Sequence, residues 1–204
     1  FDKRDADFSR HTQGIAIVAD TKETPTSRAA AMEVLHANRR KLTTDEMRTF
    51  LGETTRLAKD VSLDEKNSAF AVSVMANLAL TMREQGQLSE AESKQEAGFL
   101  VATATDSRRN VQLRGSAIVA LGILKVTEAR GALRELLTNS AVEIARPACL
   151  SLMRVDGDRA IPDLADTLKR TSDARLFGTA AFALGQLKKR DCVAALVENL
   201  GRFP

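Results

Sequence analysis

Residues 111–140 read VQLRGSAIVALGILKVTEARGALRELLTNS, and the two segments that follow repeat the same pattern of apolar side chains. Residues 142–172 read VEIARPACLSLMRVDGDRAIPDLADTLKRTS, and residues 174–203 read ARLFGTAAFALGQLKKRDCVAALVENLGRF. Equivalent positions are separated by 31 residues in the first step and by 32 in the second. Self-similarity at one fixed period indicates stacked repeats rather than a single closed core.

Apolar residues occupy five sets of equivalent positions in the three segments, and each set is called a column below. Within each segment the apolar residues recur at three- and four-residue steps, the period of a helix face, and a polar break such as Thr127-Glu128 separates two helices. One hairpin cannot bury both of its apolar stripes, so stability requires neighbouring hairpins to stack. The columns are Ala117, Ala148 and Ala180; Leu121, Leu152 and Leu184; Leu124, Val155 and Leu187; Leu133, Leu164 and Leu196; and Leu137, Leu168 and Leu200.

Small residues and helix-end signals support the same interpretation. Ala120 and Gly122 predict close helix approach in the first segment. In the second, Gly157 is suited to ending a helix, Asp158 to capping the next one, and Pro162 to its first turn, where a missing N–H is tolerated.

These segments resemble the HEAT-like repeats of the phycobilisome lyase type, over residues 110–202. The resemblance is weaker where Ala145 and Phe177 replace the Arg and Met153 replaces the Gly. It implies an all-α fold, a right-handed α-solenoid (superhelix) of about five antiparallel helical hairpins. The residues that carry it are Leu113-Arg114, Ala117, Ala120-Leu121-Gly122 and the phrases AFALGQL and DRAIPDLADTL.

The N-terminal half predicts degenerate helical repeats. We divide the chain into 1–25, an N-terminal arm or capping segment, 26–106, degenerate repeats, and 107–204, three HEAT-like repeats continuous with the preceding stack. Two hairpins are expected in the middle part, the first joined by a cap at Thr43 or Thr44 with Glu46, the second by a turn at Gly86 and Ser89. The stretch NLALTMREQGQLSEAE also resembles a tetratricopeptide repeat.

Composition limits the function classes. Thirty basic residues against 27 acidic ones give a net charge of +3, which describes a mixed surface and argues against nucleic acid as a partner. No run approaches the roughly 18 apolar residues of a membrane span. We expect a soluble protein, either cytoplasmic or exported after removal of a signal. Cys149 and Cys192, too few for a disulfide scaffold, fall at apolar helix positions and are expected to be buried.

The residues needed for several chemistries are missing from the sequence. The histidines are His11 and His36, in no zinc-binding pattern, and no His-Glu pair of the kind used by HEAT-like di-iron hydroxylases occurs. His36 is expected to be a polar surface residue. DNA glycosylases and bilin lyases are enzymes of related repeat type, but the chain has no Trp or Tyr to contact a flipped base, and nothing marks a bilin pocket. We therefore expect no catalytic residue, metal or cofactor.

Exposed columns suggest where a partner binds. Glu135, Asp166 and Glu198 form an acidic line that we expect to face the concave side and meet a basic or polar protein or peptide, unless they are unrelated charges on a solvated face. Asn139, Arg170 and Arg202 form a second column, whose two arginines are best explained as cations at helix ends. Arg134 is a further candidate partner-binding residue, with Arg170 and Arg202.

The last repeat is expected to expose apolar surface. Val193 and Val197 stand where earlier repeats have Arg130 and Arg134, followed by Ile161 and Ala165, and no polar cap helix follows them. Either further chain covers this end, or it docks another molecule, with self-association one option. The function predicted is a non-enzymatic protein–protein interaction or scaffold module; the alternatives are a HEAT-like enzyme of the bilin lyase or DNA glycosylase type, and a structural domain of a larger protein.

Overall fold

The chain is all-helical, as predicted. The computed structural model describes residues 3–60 and 63–203, with side chains from residue 10 onward, and these residues contain no strand. The chain divides into two compact units, Phe1–Gln95 and Glu96–Pro204. The boundary falls inside one helix, α5 (Glu90–Thr105).

Helix α1 is part of the core of the N-terminal unit. It places Ile15 and Val18 in the core and packs on α2 and α3, and α4 also packs on these two helices. Residues 1–25, expected to form an N-terminal arm or a capping segment, contribute a full helix to this core. The unit comprises α1 (Lys3–Ala19), α2 (Pro25–Ala37), a 3-10 turn (Arg39–Lys41), α3 (Thr44–Lys59), α4 (Glu65–Glu84) and the start of α5.

Local signals fix the ends of these helices. The side chain of Thr43 accepts the N–H of Glu46, and Glu46 in return accepts the N–H of Thr43 at 2.8 Å, a complete capping box at the start of α3. A second box joins Ser89 and Glu92 in front of α5, and Gly86, at φ +68°, forms the preceding turn. These predicted boundaries are confirmed.

The C-terminal unit is a layered stack of three hairpins. Their first helices pack on one another in sequence order, α6 on α8 and α8 on α10, and each second helix packs on the first helix of the following repeat, α7 on α8 and α9 on α10. The helices are α6 (Val111–Ile123), α7 (Arg130–Leu136), α8 (Val142–Asp156), α9 (Ile161–Arg170), α10 (Ala174–Leu187) and α11 (Arg190–Glu198), with 3-10 turns Thr127–Ala129 and Gly157–Ala160 before α7 and α9.

The predicted apolar columns form the core of this stack. All members of the columns that begin at Ala117 and Leu121 are fully buried, as are Leu133 and Leu164. Gly157, at φ +56°, ends α8 as predicted. The expected cap at Asp158 is wrong, because no side-chain cap precedes the 3-10 turn and the Asp158 carboxylate instead lies 2.8 Å from Lys189 Nζ.

Candidate partner-binding cleft

The acidic line lies on the second helices of the three repeats. Glu135, Asp166 and Glu198 lie on α7, α9 and α11, and all three side chains are exposed. Within the described part of the chain, the carboxylates of Glu135 and Glu198 form no ion pair. Two of the three negative charges are therefore free to meet a ligand.

A cleft of about 440 Å³ lies where the repeats join, beside the middle member of this line. The end of α7 and the start of α8 form one wall, and the end of α9 and the start of α10 form the other. Leu137 and Leu176 are buried at its base. Most of the other lining side chains are short and polar: Thr138, Asn139, Ser140, Thr167, Thr171 and Ser172. An apolar base with convergent donors and acceptors is typical of a ligand site.

Three charged side chains border this cleft. Asp166 and Arg170 form an exposed ion pair of 2.7 Å on one face of α9. Asp173 is the N-cap of α10, and its Oδ1 accepts the N–H groups of Leu176 and Arg175. The pKa of Asp173 lies below its usual value, first because of the Leu176 hydrogen bond and then because of the Arg175 side chain. The Asp173 carboxyl is therefore ionised at neutral pH.

Arg202 has a different environment from Arg170, although both belong to one column. Its guanidinium donates to the carbonyl oxygens of Leu168 and Lys169 at 2.6 Å and of Thr171 at 3.0 Å. It thus caps the C-terminus of α9, which supports the helix-end explanation for this residue. The same guanidinium carbon lies 5.8 Å from the ring centroids of Phe177 and Phe203.

Arg134 is also occupied by neighbouring residues. Its Nη2 lies 3.2 Å from Asp156 Oδ2, and its Nε donates to Asp163 at 2.8 Å. Arg130 Nε lies 2.7 Å from the other Asp156 oxygen, at an angle that is not that of a hydrogen bond, so this contact is an ion pair alone. Arg134 and Arg202 therefore form contacts between repeats. Of the candidate partner-binding residues, Asp166 and Arg170 line the cleft.

Asp156 is the residue that sequence reasoning missed. Its side chain is 1% exposed and lies between the two arginines of α7. One signal was present, because the other two repeats place Lys125 and Lys188 at this position and the middle repeat reverses the charge. A carboxylate at a position where the other two repeats have lysine indicates that the middle repeat forms a contact that the others lack.

The histidines lie in the N-terminal unit, away from this cleft in sequence. His11 Nδ1 lies 3.8 Å from the buried Glu46 Oε1 and lines a groove of about 780 Å³ between α1 and α2. His36 is half-buried rather than on the surface as expected; burial, and then the nearby Arg39, lowers its pKa.

Both cysteines are buried and free, as predicted, and burial raises the pKa of Cys149 to about 12. Residues 3–60 and 63–203 contain no group of three His, Cys, Asp or Glu side chains placed to hold a metal ion. None of the helices described is both long enough and apolar enough to cross a membrane.

The stacked hairpins define the class of this molecule, an α-helical repeat protein. Residues 99–184 match the sequence profile of HEAT repeats, and residues 178–202 match that of the PBS lyase HEAT-like repeat. The C-terminal half of the chain therefore consists of HEAT-like repeats, and the resemblance seen in the sequence is confirmed.

Among solved structures, the chain is similar to human deoxyhypusine hydroxylase in complex with glycerol. The two are 18% identical, with a TM-score of 0.47, over 96% of this chain and 69% of that one. No curated protein sequence matches the chain.

Proposed function

We propose that the chain is a non-enzymatic interaction module that binds a basic or polar peptide segment in the cleft of its C-terminal unit. The observation that carries the proposal is the cleft itself, which combines an apolar base with hydroxyl and amide groups and lies beside Asp166. An extended peptide can place its backbone against such groups and an apolar side chain over the base.

The acidic line would set the charge of the ligand. Among the residues that the structure describes, Glu135 and Glu198 have no ion-pair partner. The Asp166–Arg170 ion pair is exposed, so a cation of the ligand can compete with Arg170 for Asp166. Exposed ion pairs contribute about 0–1 kcal/mol to stability, so replacing Arg170 as the partner of Asp166 costs little free energy. Complementary charge would mainly raise the association rate and select against acidic ligands.

Asp156 bears on the enzyme alternatives. It is a buried carboxylate beside basic residues, the arrangement expected of a base-excision site, but its 1% exposure leaves no room for a substrate atom. Both of its oxygens also face arginines of α7, which supports a structural role. We therefore favour the interaction module over an enzyme.

Charge reversal tests the acidic line. A fluorescein-labelled peptide of alternating Lys and Ser, with a Glu and Ser peptide as its counterpart, is titrated against the chain and followed by anisotropy. Changing Glu135, Asp166 and Glu198 to Lys should weaken binding of the basic peptide at least about tenfold. The control changes Glu33, Glu84 and Glu90, exposed acids of the N-terminal unit, and alters the net charge equally. Equal losses in both triple variants would show that the effect is not local to the line.

Filling the cleft tests its location without changing charge. Ser172→Trp places an indole at the exposed rim and should abolish the binding, whereas Ser107→Trp, at an exposed turn outside the cleft, should leave it unchanged. Full binding by the Ser172 variant would assign the peptide to another surface.

A further inference from the structure

The turns inside the three hairpins of the C-terminal unit form one edge of the stack. Asp156 Oδ1, at the end of α8, lies 2.7 Å from Arg130 Nε, and Asp158 Oδ2 lies 2.8 Å from Lys189 Nζ in front of α11. These contacts join the turn of the middle repeat to the turns on either side. This turn edge lies at the other end of the hairpins from the cleft, which the connections between hairpins form. It comprises residues 125–130, 154–159 and 188–191.

The turn edge has an excess of basic side chains. It contains seven basic and four acidic residues, a net charge of +3. Two of the basic residues are the partners of Asp156 and Asp158. Among the residues described, the other five have no ion-pair partner, and all five are exposed: Lys125, Arg154, Arg159, Lys188 and Arg190. These five cations are therefore available to a ligand.

Two of the five cations stand where the backbone opposes them. Within residues 3–60 and 63–203, Lys125 and Lys188 are the only residues other than glycine with a positive φ, at +49° and +53°. They occupy equivalent positions in the first and third repeats, each at the end of a first helix. Glycine adopts this conformation without strain, as Gly157 does in the middle repeat. A cation complements the dipole of a helix C-terminus, but that gain is smaller than the strain.

A third cation stands where the helix dipole opposes it. Arg190 is the first residue of α11, and Lys189, the N-cap residue, forms no side-chain cap hydrogen bond. Helix N-termini favour acidic residues and short polar caps, because the N–H groups there carry a partial positive charge. The turn edge thus has basic residues at three positions where the local structure favours other residues. Conflicts of this kind are expected at functional sites.

The dimensions and composition of the turn edge fit an acidic segment of a partner protein. Packed helices are about 8–10 Å apart, so three turns extend over roughly 20 Å, which about six residues of an extended chain span. Glu128 and Asp191 are also exposed on this edge. A polypeptide can place basic residues opposite these two acids. A nucleic acid would be repelled by them, and it would find no Trp or Tyr on which to stack its bases.

We propose that the turn edge binds an acidic segment of a partner protein, whose carboxylates pair with the five exposed cations of successive repeats. The two lysines supply point charges, and the three arginines supply guanidinium groups that bind carboxylates through paired hydrogen bonds. The turn edge is separate from the cleft, so the inference does not depend on the proposed function. Because the contacts are between exposed charges, we expect a Kd on the order of 10–100 µM in low salt, weakened by added salt.

Charge reversal tests the turn edge. A fluorescein-labelled peptide of alternating Glu and Ala, long enough to span the three turns, is titrated against the chain and followed by anisotropy. The reversal variant should raise the Kd at least about tenfold, and it replaces with Glu one cation of each repeat: Lys125, Arg159 and Lys188. Its control changes the net charge equally at three exposed cations of the N-terminal unit: Lys22, Arg40 and Lys66. Equal losses in the two triple variants would overturn the proposal.

Filling the cleft separates the two binding surfaces. Ser172→Trp, which blocks the cleft, should leave the binding of the acidic peptide unchanged. A loss of binding in this variant would assign the acidic peptide to the cleft and overturn the proposal. So would a single-stranded oligothymidine that binds the turn edge more tightly than the acidic peptide, because the surface would then be one for nucleic acid.

The double variant Lys125→Gly, Lys188→Gly distinguishes a binding role from a structural one. Glycine relieves the positive φ at both positions, so this variant should unfold at a higher urea concentration than the native chain. The loss of two cations should at the same time raise the Kd for the acidic peptide at least about fivefold. Binding equal to that of the native chain would overturn the proposal. A lower unfolding midpoint would also overturn it, because the two lysines would then serve the fold.

Discussion

A Cβ atom at Gly122 would lie 2.5 Å from Ser151 Oγ and 2.8 Å from Ser151 Cα, so α6 and α8 meet with no side chain between their backbones. Ser151 is fully buried, and its hydroxyl donates to the carbonyl oxygen of Ile118 at 2.8 Å. The contact satisfies the hydroxyl and sets the spacing of the first two layers. The geometry of the stack thus depends on a missing side chain as much as on the leucines around it.

Gly122→Ala should destabilise the chain by about 2–3 kcal/mol, because the Ser151 backbone must move away from the added methyl group. Gly185 occupies the same place in the last repeat, where a Cβ meets nothing within 4 Å. Gly185→Ala should therefore stabilise the chain by about 0.5–1 kcal/mol through helix propensity. Urea unfolding of each variant measures both effects. Similar effects of the two substitutions would contradict the close contact.

The stacking could be predicted because buried columns leave a trace in the sequence. The 31- and 32-residue steps place Ala117 and Leu121 with their counterparts, and every member is buried as expected. The pairing of α1 with α2 could not be predicted in the same way. Few apolar residues mark the inner face of α1, so Ile15 and Val18 did not indicate a full helix.

Asp156→Asn should destabilise the chain by about 1–3 kcal/mol, because it removes a buried charge that faces two arginines. The arginines are partly exposed and can turn to water, which keeps the loss below that of a fully buried pair. Asp158→Asn is the control, since Asp158 and its partner Lys189 are each more than half exposed. Its effect on the unfolding free energy should stay below about 0.5 kcal/mol. Equal losses would exclude a special role for Asp156.

Arg202 and Arg170 occupy equivalent positions in the sequence but form different contacts. Each arginine follows an acid by four residues, Glu198 and Asp166, so the sequence gives them the same local partner. Arg170 pairs with its acid, whereas Arg202 reaches the last carbonyl groups of α9. The difference arises from the preceding layer, which presents free carbonyl groups to Arg202, and no pattern within the helix reports it.

Arg202→Ala should destabilise the last two repeats by about 1–2 kcal/mol, because the carbonyl groups at the end of α9 lose a charged donor. Hydrogen exchange should report faster exchange in the last turn of α9 and in α11. Arg170→Ala, in the same column, removes only an exposed ion pair and should change stability by less than about 0.5 kcal/mol. Unchanged protection of α9 in the Arg202 variant would contradict the capping role.

Cys149 should resist thiol reagents for as long as the chain is folded. Burial raises its pKa to about 12, so roughly one molecule in ten thousand carries the thiolate at pH 8, and the sulfur is covered by neighbouring side chains. Cys192→Ala isolates this thiol. Its labelling by Ellman's reagent should be slow in buffer and complete in denaturing urea. Rapid stoichiometric labelling of the folded variant would contradict the burial of Cys149.

Acid should weaken the chain through two N-cap carboxylates. The pKa of Asp64 is lowered chiefly by the side chain of Asn67, and that of Asp173 by the N–H of Leu176. A carboxyl with a lower pKa in the folded state stabilises the fold above its unfolded pKa of about 3.9. That contribution is lost as the pH falls through the folded value.

Asn is also a good N-cap, but it does not titrate. The double variant Asp64→Asn, Asp173→Asn should therefore fold at pH 6 and lose less stability than the native chain between pH 6 and pH 3. Urea unfolding at the two pH values measures the difference. Exposed Glu33→Gln is the control, because its carboxyl caps no helix, and it should leave the pH dependence unchanged. An unaltered acid sensitivity in the double variant would mean that other carboxyl groups govern the loss.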